Sequence, residues 1–98
     1  MSDTFLKYGY SFQSKLIACL FKDKPFLQQI MDILEPDYFE SEANKWMMST
    51  IIDYYIDFKA QPTLEVMKVK LEEVGNDVLK AEVIQNLKDA VRNFDAVD

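Results

Sequence analysis

The stretch that decides the fold runs from residue 41 to residue 58 and reads SEANKWMMSTIIDYYIDF. Its apolar residues recur every three or four positions, which is the spacing of one face of an α-helix. The predicted face consists of Ala43, Met47, Thr50, Ile51, Tyr54 and Phe58, with Trp46 and Tyr55 beside it. Ser41 is suited to cap the first turn. The sequence therefore predicts a long central helix from Glu42 to Phe58.

Two shorter helices are predicted before the central one. Ser11 is suited as an N-cap for a first helix at about 12–22. The apolar residues of this helix are Phe12, Leu16, Ile17, Leu20 and Phe21. Asp23 stands two residues before Pro25, a pairing typical of a helix start, and predicts a second helix at about 25–34. Residues 1–10 have no sustained period and are expected to form an N-terminal arm.

Two more helices are predicted after the central one. Thr63 is suited to cap a fourth helix that ends at Gly75, where glycine favours the left-handed position after a helix. Asn76 is suited to cap a last helix at about 77–94. One stripe of that helix consists of Ile84, Leu87, Val91 and Phe94.

No segment alternates between apolar and polar residues as a strand does. The predicted fold class is therefore all-α, a compact orthogonal bundle of about five helices. Its parts are an arm (1–10), a helical globule (11–75) and a C-terminal helix (76–98). One core cluster is expected from Leu16, Leu20, Ile30, Leu34, Phe39, Met47, Ile51, Tyr54 and Leu71, and Cys19 is expected to be buried.

The charge of the chain argues against direct DNA binding. Seventeen acidic residues are mixed with 11 Lys and Arg, giving a net charge of −6. Nucleic-acid affinity depends mainly on clustered Lys and Arg that displace counterions, so tight nucleic-acid binding is not expected. No apolar stretch approaches the roughly 20 residues of a membrane span. The first residues do not resemble a signal peptide, and a cytoplasmic location is expected.

Catalytic groups are scarce. The chain has no His and a single Cys, which leaves out the commonest general base and the usual zinc ligands. Gly9 and Gly75 stand alone, so neither belongs to a phosphate-binding loop. We therefore predict no catalytic, cofactor-binding or metal-binding residues, and no enzymatic activity for this chain.

Aromatic residues are more informative. Seven Phe, five Tyr and one Trp exceed what a core of this size must hold, and aromatic residues are enriched at interface hot spots. The sequence therefore favours a docking surface over an active site. The candidate interaction residues are Ile84, Leu87, Val91, Phe94, Trp46 and Tyr55.

The order of helices and joints resembles the N-terminal domain of DnaB-type replicative DNA helicases. The joint Leu34-Glu35-Pro36-Asp37-Tyr38-Phe39 is similar to the leucine-x-proline-x-aromatic-phenylalanine joint of that family. The other matching stations are residues 15–23, 30–34, 43–55 and 62–63. The likeness spans about residues 12–75, and residues 38–45 look most like the helicases of T-even-type bacteriophages. Asn44-Lys45 and the single Gly75 depart from the His-Arg pair and the Gly-Gly motif of many bacterial members.

The resemblance implies a fragment whose residues 76–98 are the first half of a helical hairpin. It implies a parent helicase that uses ATP and Mg²⁺ through a separate motor, in the cytoplasm of a bacterial host. The implied partners are other helicase subunits and either primase or a helicase loader. A different hypothesis stays open, namely a stand-alone acidic phage protein that binds and inhibits a host enzyme.

Overall fold

The computed structural model describes residues 9–35, 38–39 and 41–94. These residues form five α-helices and no strand. The helices are α1 (Gly9–Lys22), α2 (Lys24–Ile30), α3 (Glu42–Phe58), α4 (Leu64–Glu72) and α5 (Asp77–Arg92). The predicted all-α class with five helices is confirmed. Of the predicted arm, residues 1–8 lie outside the described residues, whereas Gly9 and Tyr10 begin α1.

Four helix starts are capped as the sequence predicts. In each case a side-chain oxygen accepts a hydrogen bond, 3.0 to 3.2 Å long, from the backbone N–H three residues further on. Such a bond satisfies one of the donors that have no partner inside the helix. The capping residues are Asp23 for α2, Ser41 for α3, Thr63 for α4 and Asn76 for α5.

Two predicted boundaries are wrong. Helix α1 begins at Gly9, so Ser11 lies inside the helix and is not its N-cap. Helix α2 ends at Ile30 instead of residue 34. The backbone N–H groups of Ile33 and Leu34 both donate to the carbonyl oxygen of Ile30, at 3.0 and 2.9 Å. The Ile33 bond spans three residues instead of four, which tightens the chain into a turn at the end of the helix.

The left-handed residue after a helix is not Gly75. Helix α4 closes with right-handed backbone at Glu73, whose N–H donates to the carbonyl oxygen of Lys70 at 3.1 Å. The left-handed position follows α3 at Lys59, with φ 58°, where the Lys59 N–H donates to the Tyr55 carbonyl oxygen at 2.7 Å. Among the described glycines, positive φ occurs at Gly9. The chain reverses tightly after α3, whereas α4 ends in a short 3₁₀-type bond that needs no left-handed residue.

One core cluster joins all five helices. Helix α5 packs against α3 and α1, and α1 also packs against α2 and α3. The predicted core is confirmed for Leu16, Leu20, Leu34, Phe39, Met47, Ile51 and Leu71. Ile30 is half-buried against the cluster, and Cys19 is half-buried instead of buried. Val83, Leu87 and Ala90 bring α5 into the same core.

The central helix is buried on a sector rotated from the predicted one. Its buried residues are Ala43, Asn44, Met47, Met48, Ile51 and Tyr55. Tyr54 is half-exposed, so the prediction that it belongs to the core is wrong, and Phe58 on the predicted apolar face is 61% exposed. The reason is that α3 lies between α1 and α5, and the polar Asn44 takes part in both contacts. The spacing of apolar residues alone cannot predict which side of a helix is buried when the buried side includes an asparagine.

Candidate interaction surface

A groove of about 450 Å³ runs between α4 and α5. Its lining residues are Leu64, Lys68, Leu71, Ile84, Leu87, Lys88, Val91 and Arg92. Residues three and four positions apart share one side of a helix, which is why each helix contributes a row to the groove. Ile84 is 45% exposed and Val91 37%. We refer to this surface as the basic groove, because an apolar floor is flanked by three cationic side chains.

The cations of the basic groove are only partly paired. Arg92 forms an ion pair with Asp89 at 2.9 Å on the same helix. Lys68 and Lys88 form no ion pair with any residue that the structure describes. A neighbouring hollow of about 320 Å³ adds Lys80 and the carboxylate of Glu72. The groove is therefore locally cationic on a chain whose net charge is −6.

A second apolar surface lies at the C-terminal end of α3 and along α4. The apolar side chains are Tyr54, Phe58, Val66 and Val69, and the acidic ones around them are Asp53, Asp57, Glu65 and Glu73. Lys70 is the cation among them. The Tyr54 and Phe58 rings are 4.5 Å apart, and Val69 is 62% exposed. We call this surface the acidic patch. Sequence reasoning missed it because it placed Tyr54 in the core and gave no contact between α3 and α4.

The six predicted interaction residues do not form one surface. Ile84, Leu87 and Val91 come together in the basic groove. Phe94 turns away, and its ring lies 5.7 Å from the Phe21 ring with the Lys22 Nζ 5.4 Å above it. Trp46 and Tyr55 belong to the inside of the bundle.

Trp46 is half-buried against the core. The buried Tyr55 accepts a hydrogen bond on its Oη from the Gln28 Nε2 at 2.7 Å. Helix α5 folds back on the Asn44 side of α3, where the side chains of Asn86 and Asn44 meet at 3.3 Å. Since each residue turns a helix by about 100°, Trp46 lies opposite Asn44. Helix α5 therefore does not pack on the Trp46 side of α3.

Sequence reasoning also missed a polar network between α1, α3 and α5. The Asn86 Nδ2 donates to the Ser41 Oγ at 3.1 Å and to the Asn44 Oδ1 at 3.3 Å. The Tyr10 hydroxyl lies 2.9 Å from the Asn86 Oδ1 and 2.5 Å from the Asp89 Oδ2. Polar residues inside the apolar stripes of the helices were the available signal. The network orients three helices, and its groups are the amides of Asn44 and Asn86, the hydroxyls of Tyr10 and Ser41, and the carboxylate of Asp89.

Two side chains have shifted acidities. Burial raises the pKa of Tyr10 above its usual value, and the hydrogen bond to Asp89 raises it further. Burial also raises the pKa of the Cys19 thiol, with a smaller contribution from the charge of Asp23. A raised thiol pKa lowers the thiolate fraction, and thus the reactivity, at neutral pH.

The described residues hold no group of three or more His, Cys, Asp or Glu side chains placed to bind a metal ion. None of the helices they form is long and apolar enough to cross a membrane. No family model, curated protein or solved structure matches the chain.

Proposed function

We propose that this chain is the non-catalytic N-terminal domain of a phage-type replicative DNA helicase. It supports assembly of the helicase ring and offers a docking site for primase or a helicase loader. In this proposal the ATP and Mg²⁺ of the parent protein belong to a separate motor, and the protein works in the cytoplasm of a bacterial host.

The observation that carries the proposal is the pair of exposed apolar surfaces, the basic groove and the acidic patch. Exposed contiguous apolar surface marks sites of protein association in small globular domains. Both surfaces are built from regular helices, which makes them rigid platforms. The polar side chains that line the basic groove are Lys68, Lys88 and Arg92.

The helix order supports the helicase part of the proposal. Two stations of the resemblance fall on the elements expected of them, with residues 43–55 inside α3 and Pro62-Thr63 directly before α4. The station at residues 30–34 does not, because α2 ends at Ile30 and a turn follows. The joint that begins at Leu34 follows the turn after α2, and Phe39 at its end is 2% exposed. Burial at the end of this joint favours a large apolar residue such as phenylalanine at position 39.

The first experiment reads the coding frame beyond the codon for Asp98. A GxxxxGK[ST] phosphate-binding loop further along the same frame would support the helicase reading. Deleting residues 1–98 from that longer protein should reduce its hexamer fraction and its stimulation of primase, while ATP hydrolysis stays measurable. An unchanged hexamer fraction together with unchanged primase stimulation would contradict the proposal.

A stop codon after Asp98 would instead favour the second candidate, an acidic phage protein that binds and inhibits a host enzyme. The acidic patch is the observation that favours it, since exposed carboxylates around apolar rings suit a basic partner. Under both readings the chain has no nucleotide site. Calorimetric titration of the 98-residue chain with ATP and magnesium should give no heat of binding, and a micromolar signal would contradict both readings.

A further inference from the structure

The basic groove and the acidic patch lie on opposite sides of α4. Leu64, Lys68 and Leu71 are spaced by four and three residues and face the groove. Val66 and Val69 face the acidic patch. At about 100° of rotation per residue, these two rows lie roughly half a turn apart on the helix. The two surfaces therefore face in opposite directions from α4.

The two surfaces are complementary in charge. The groove and its adjoining hollow carry Lys68, Lys80, Lys88 and Arg92 against the single carboxylate of Glu72. Arg92 is shared with Asp89. The acidic patch carries Asp53, Asp57, Glu65 and Glu73 against the single cation of Lys70. Each surface thus has an apolar centre and an excess of one sign of charge.

The apolar centres of the two surfaces can pack against each other. The basic groove is a concave slot lined by aliphatic side chains. The acidic patch presents the Phe58 ring, 61% exposed, and the neighbouring Val69, 62% exposed. An aromatic ring inserted into an aliphatic slot is the usual form of an interface anchor. The flanking carboxylates would then face the lysines of the groove.

We infer that the occupant of the basic groove is the acidic patch of a second copy of this chain. The identity of the occupant as a second copy rests on the proposed role in ring assembly. The choice of contact residues rests on the two surfaces alone. Because the surfaces differ and face away from each other, the contact is head-to-tail. A head-to-tail contact repeats from copy to copy and closes into a ring when the rotation allows it.

The accessible surface of the molecule limits the area that each contact can bury. A standard interface takes about 800 Å² from each partner, and the chain exposes 5906 Å² in all. Two separate patches of this size fit on the surface. A single slot with a charged rim falls at the small end of such interfaces, so the isolated chain should associate weakly. Attachment to a common ring would raise the effective concentration.

The test uses two variants of opposite charge. The groove variant carries Lys68→Glu and Lys88→Glu, and the patch variant carries Asp53→Lys and Asp57→Lys. All four side chains are exposed, and none takes part in a hydrogen bond or ion pair among the described residues. Both variants should keep the melting temperature of the parent chain within a few degrees, which is about the effect of a surface substitution.

Sedimentation equilibrium over a concentration series gives the readout. The parent chain should show an average mass that rises with concentration and falls when salt is added. Each variant alone should associate at least about tenfold more weakly, because like charges then face each other. A mixture of the two variants should regain the association of the parent, since each groove again meets a patch of opposite charge.

A third variant, Lys15→Glu with Lys24→Glu, makes the same change of net charge away from both surfaces and should associate like the parent. The inference is overturned if the parent stays monomeric at concentrations near 1 mM, a limit that corresponds to about −4 kcal/mol. It is also overturned if either charge variant associates like the parent or if the mixture fails to recover. Binding of an acidic amphipathic peptide in the groove of a monomeric parent would assign the groove to another protein.

Failure of this inference is separable from failure of the proposed function. A longer protein that forms hexamers equally well with and without the groove substitutions would keep the proposed function and reject the contact. A stop codon after Asp98 would reject the helicase while the sedimentation result still decides the contact.

Discussion

Asn86 is the residue that ties α5 to the two helices beneath it. It is 7% exposed and hydrogen-bonded to Ser41, Asn44 and Tyr10. Removing its amide leaves the Oδ1 of the buried Asn44 without its hydrogen bond, which costs about 1–3 kcal/mol. We expect Asn86→Ala to lower the free energy of unfolding by about this amount in urea titrations.

Gln29→Ala removes an exposed amide on α2, away from the polar network, and is the matched control. It should change the free energy of unfolding by less than about 0.5 kcal/mol. Equal effects of the two substitutions would mean that the polar network does not stabilise the bundle.

Tyr10 should make the stability depend on alkaline pH. Its pKa is raised in the folded chain by burial and by the Asp89 hydrogen bond, so the folded state holds the phenol proton more tightly than the unfolded state. The contribution of this group is therefore fully present below the unfolded pKa of about 10 and is lost as pH rises through the folded value.

We expect the difference in unfolding free energy between the parent and Tyr10→Phe to shift in favour of the Phe variant above pH 10. Chemical denaturation at pH 8 and at pH 11 measures it. The non-titrating substitution Ser11→Ala should show the same difference from the parent at both values. If the difference in unfolding free energy between the parent and Tyr10→Phe is the same at both pH values, the burial of Tyr10 and its hydrogen bond to Asp89 do not raise the pKa of this tyrosine.

At the scale of single helices, α3 offers a direct test of its buried sector. Ile51 is 0% exposed, whereas Ile56 on the same helix is 49% exposed. Truncating a fully buried isoleucine to alanine costs about 2–5 kcal/mol because of lost burial and the cavity left behind. Ile51→Ala should lose this amount in urea titrations and Ile56→Ala much less. Similar losses would place both residues in the same environment and contradict the observed rotation of α3.

The two glycines should respond in opposite directions to alanine. An added Cβ meets no atom within 4 Å at either Gly9 or Gly75, but Gly9 has φ +82°. Gly75→Ala should stabilise the chain by about 0.4–1 kcal/mol, because alanine restricts the unfolded state. Gly9→Ala should destabilise it by about 1–2 kcal/mol, the cost of a left-handed L-residue. Thermal melts of both variants measure the difference, and a loss at Gly75 would mean that a left-handed conformation is needed there.

For the whole molecule, the charge distribution predicts weak DNA binding. The cations around the basic groove are few, and the chain as a whole carries −6. Non-specific DNA binding at physiological salt has a Kd of about 10⁻⁴ to 10⁻⁶ M for proteins with several phosphate contacts. Fluorescence anisotropy with labelled oligonucleotides should give a weaker Kd than this range. The groove variant is the control, since its loss of any residual signal would locate the contact at Lys68 and Lys88.

Helix number among the described residues, four of the five helix starts and most of the core follow from the sequence, because they depend on local chemistry. The caps at Ser41 and Asn76 need only a side-chain oxygen three residues before a backbone N–H. The apolar residues Leu20 and Met47 are buried wherever their helix packs. The stripe Ile84-Leu87-Val91 was also predicted, since its spacing is a property of one helix.

The tertiary structure decided the rest, because the rest depends on which helices meet. Burial of Tyr55 in place of Tyr54 follows from the position of α3 between α1 and α5. The basic groove exists because α4 places Lys68 beside the stripe of α5, a contact between segments that no local pattern connects. The left-handed residue is Lys59, where the chain must reverse. Local spacing determines which side chains each helix can bury, and only tertiary packing determines which neighbouring helix buries them.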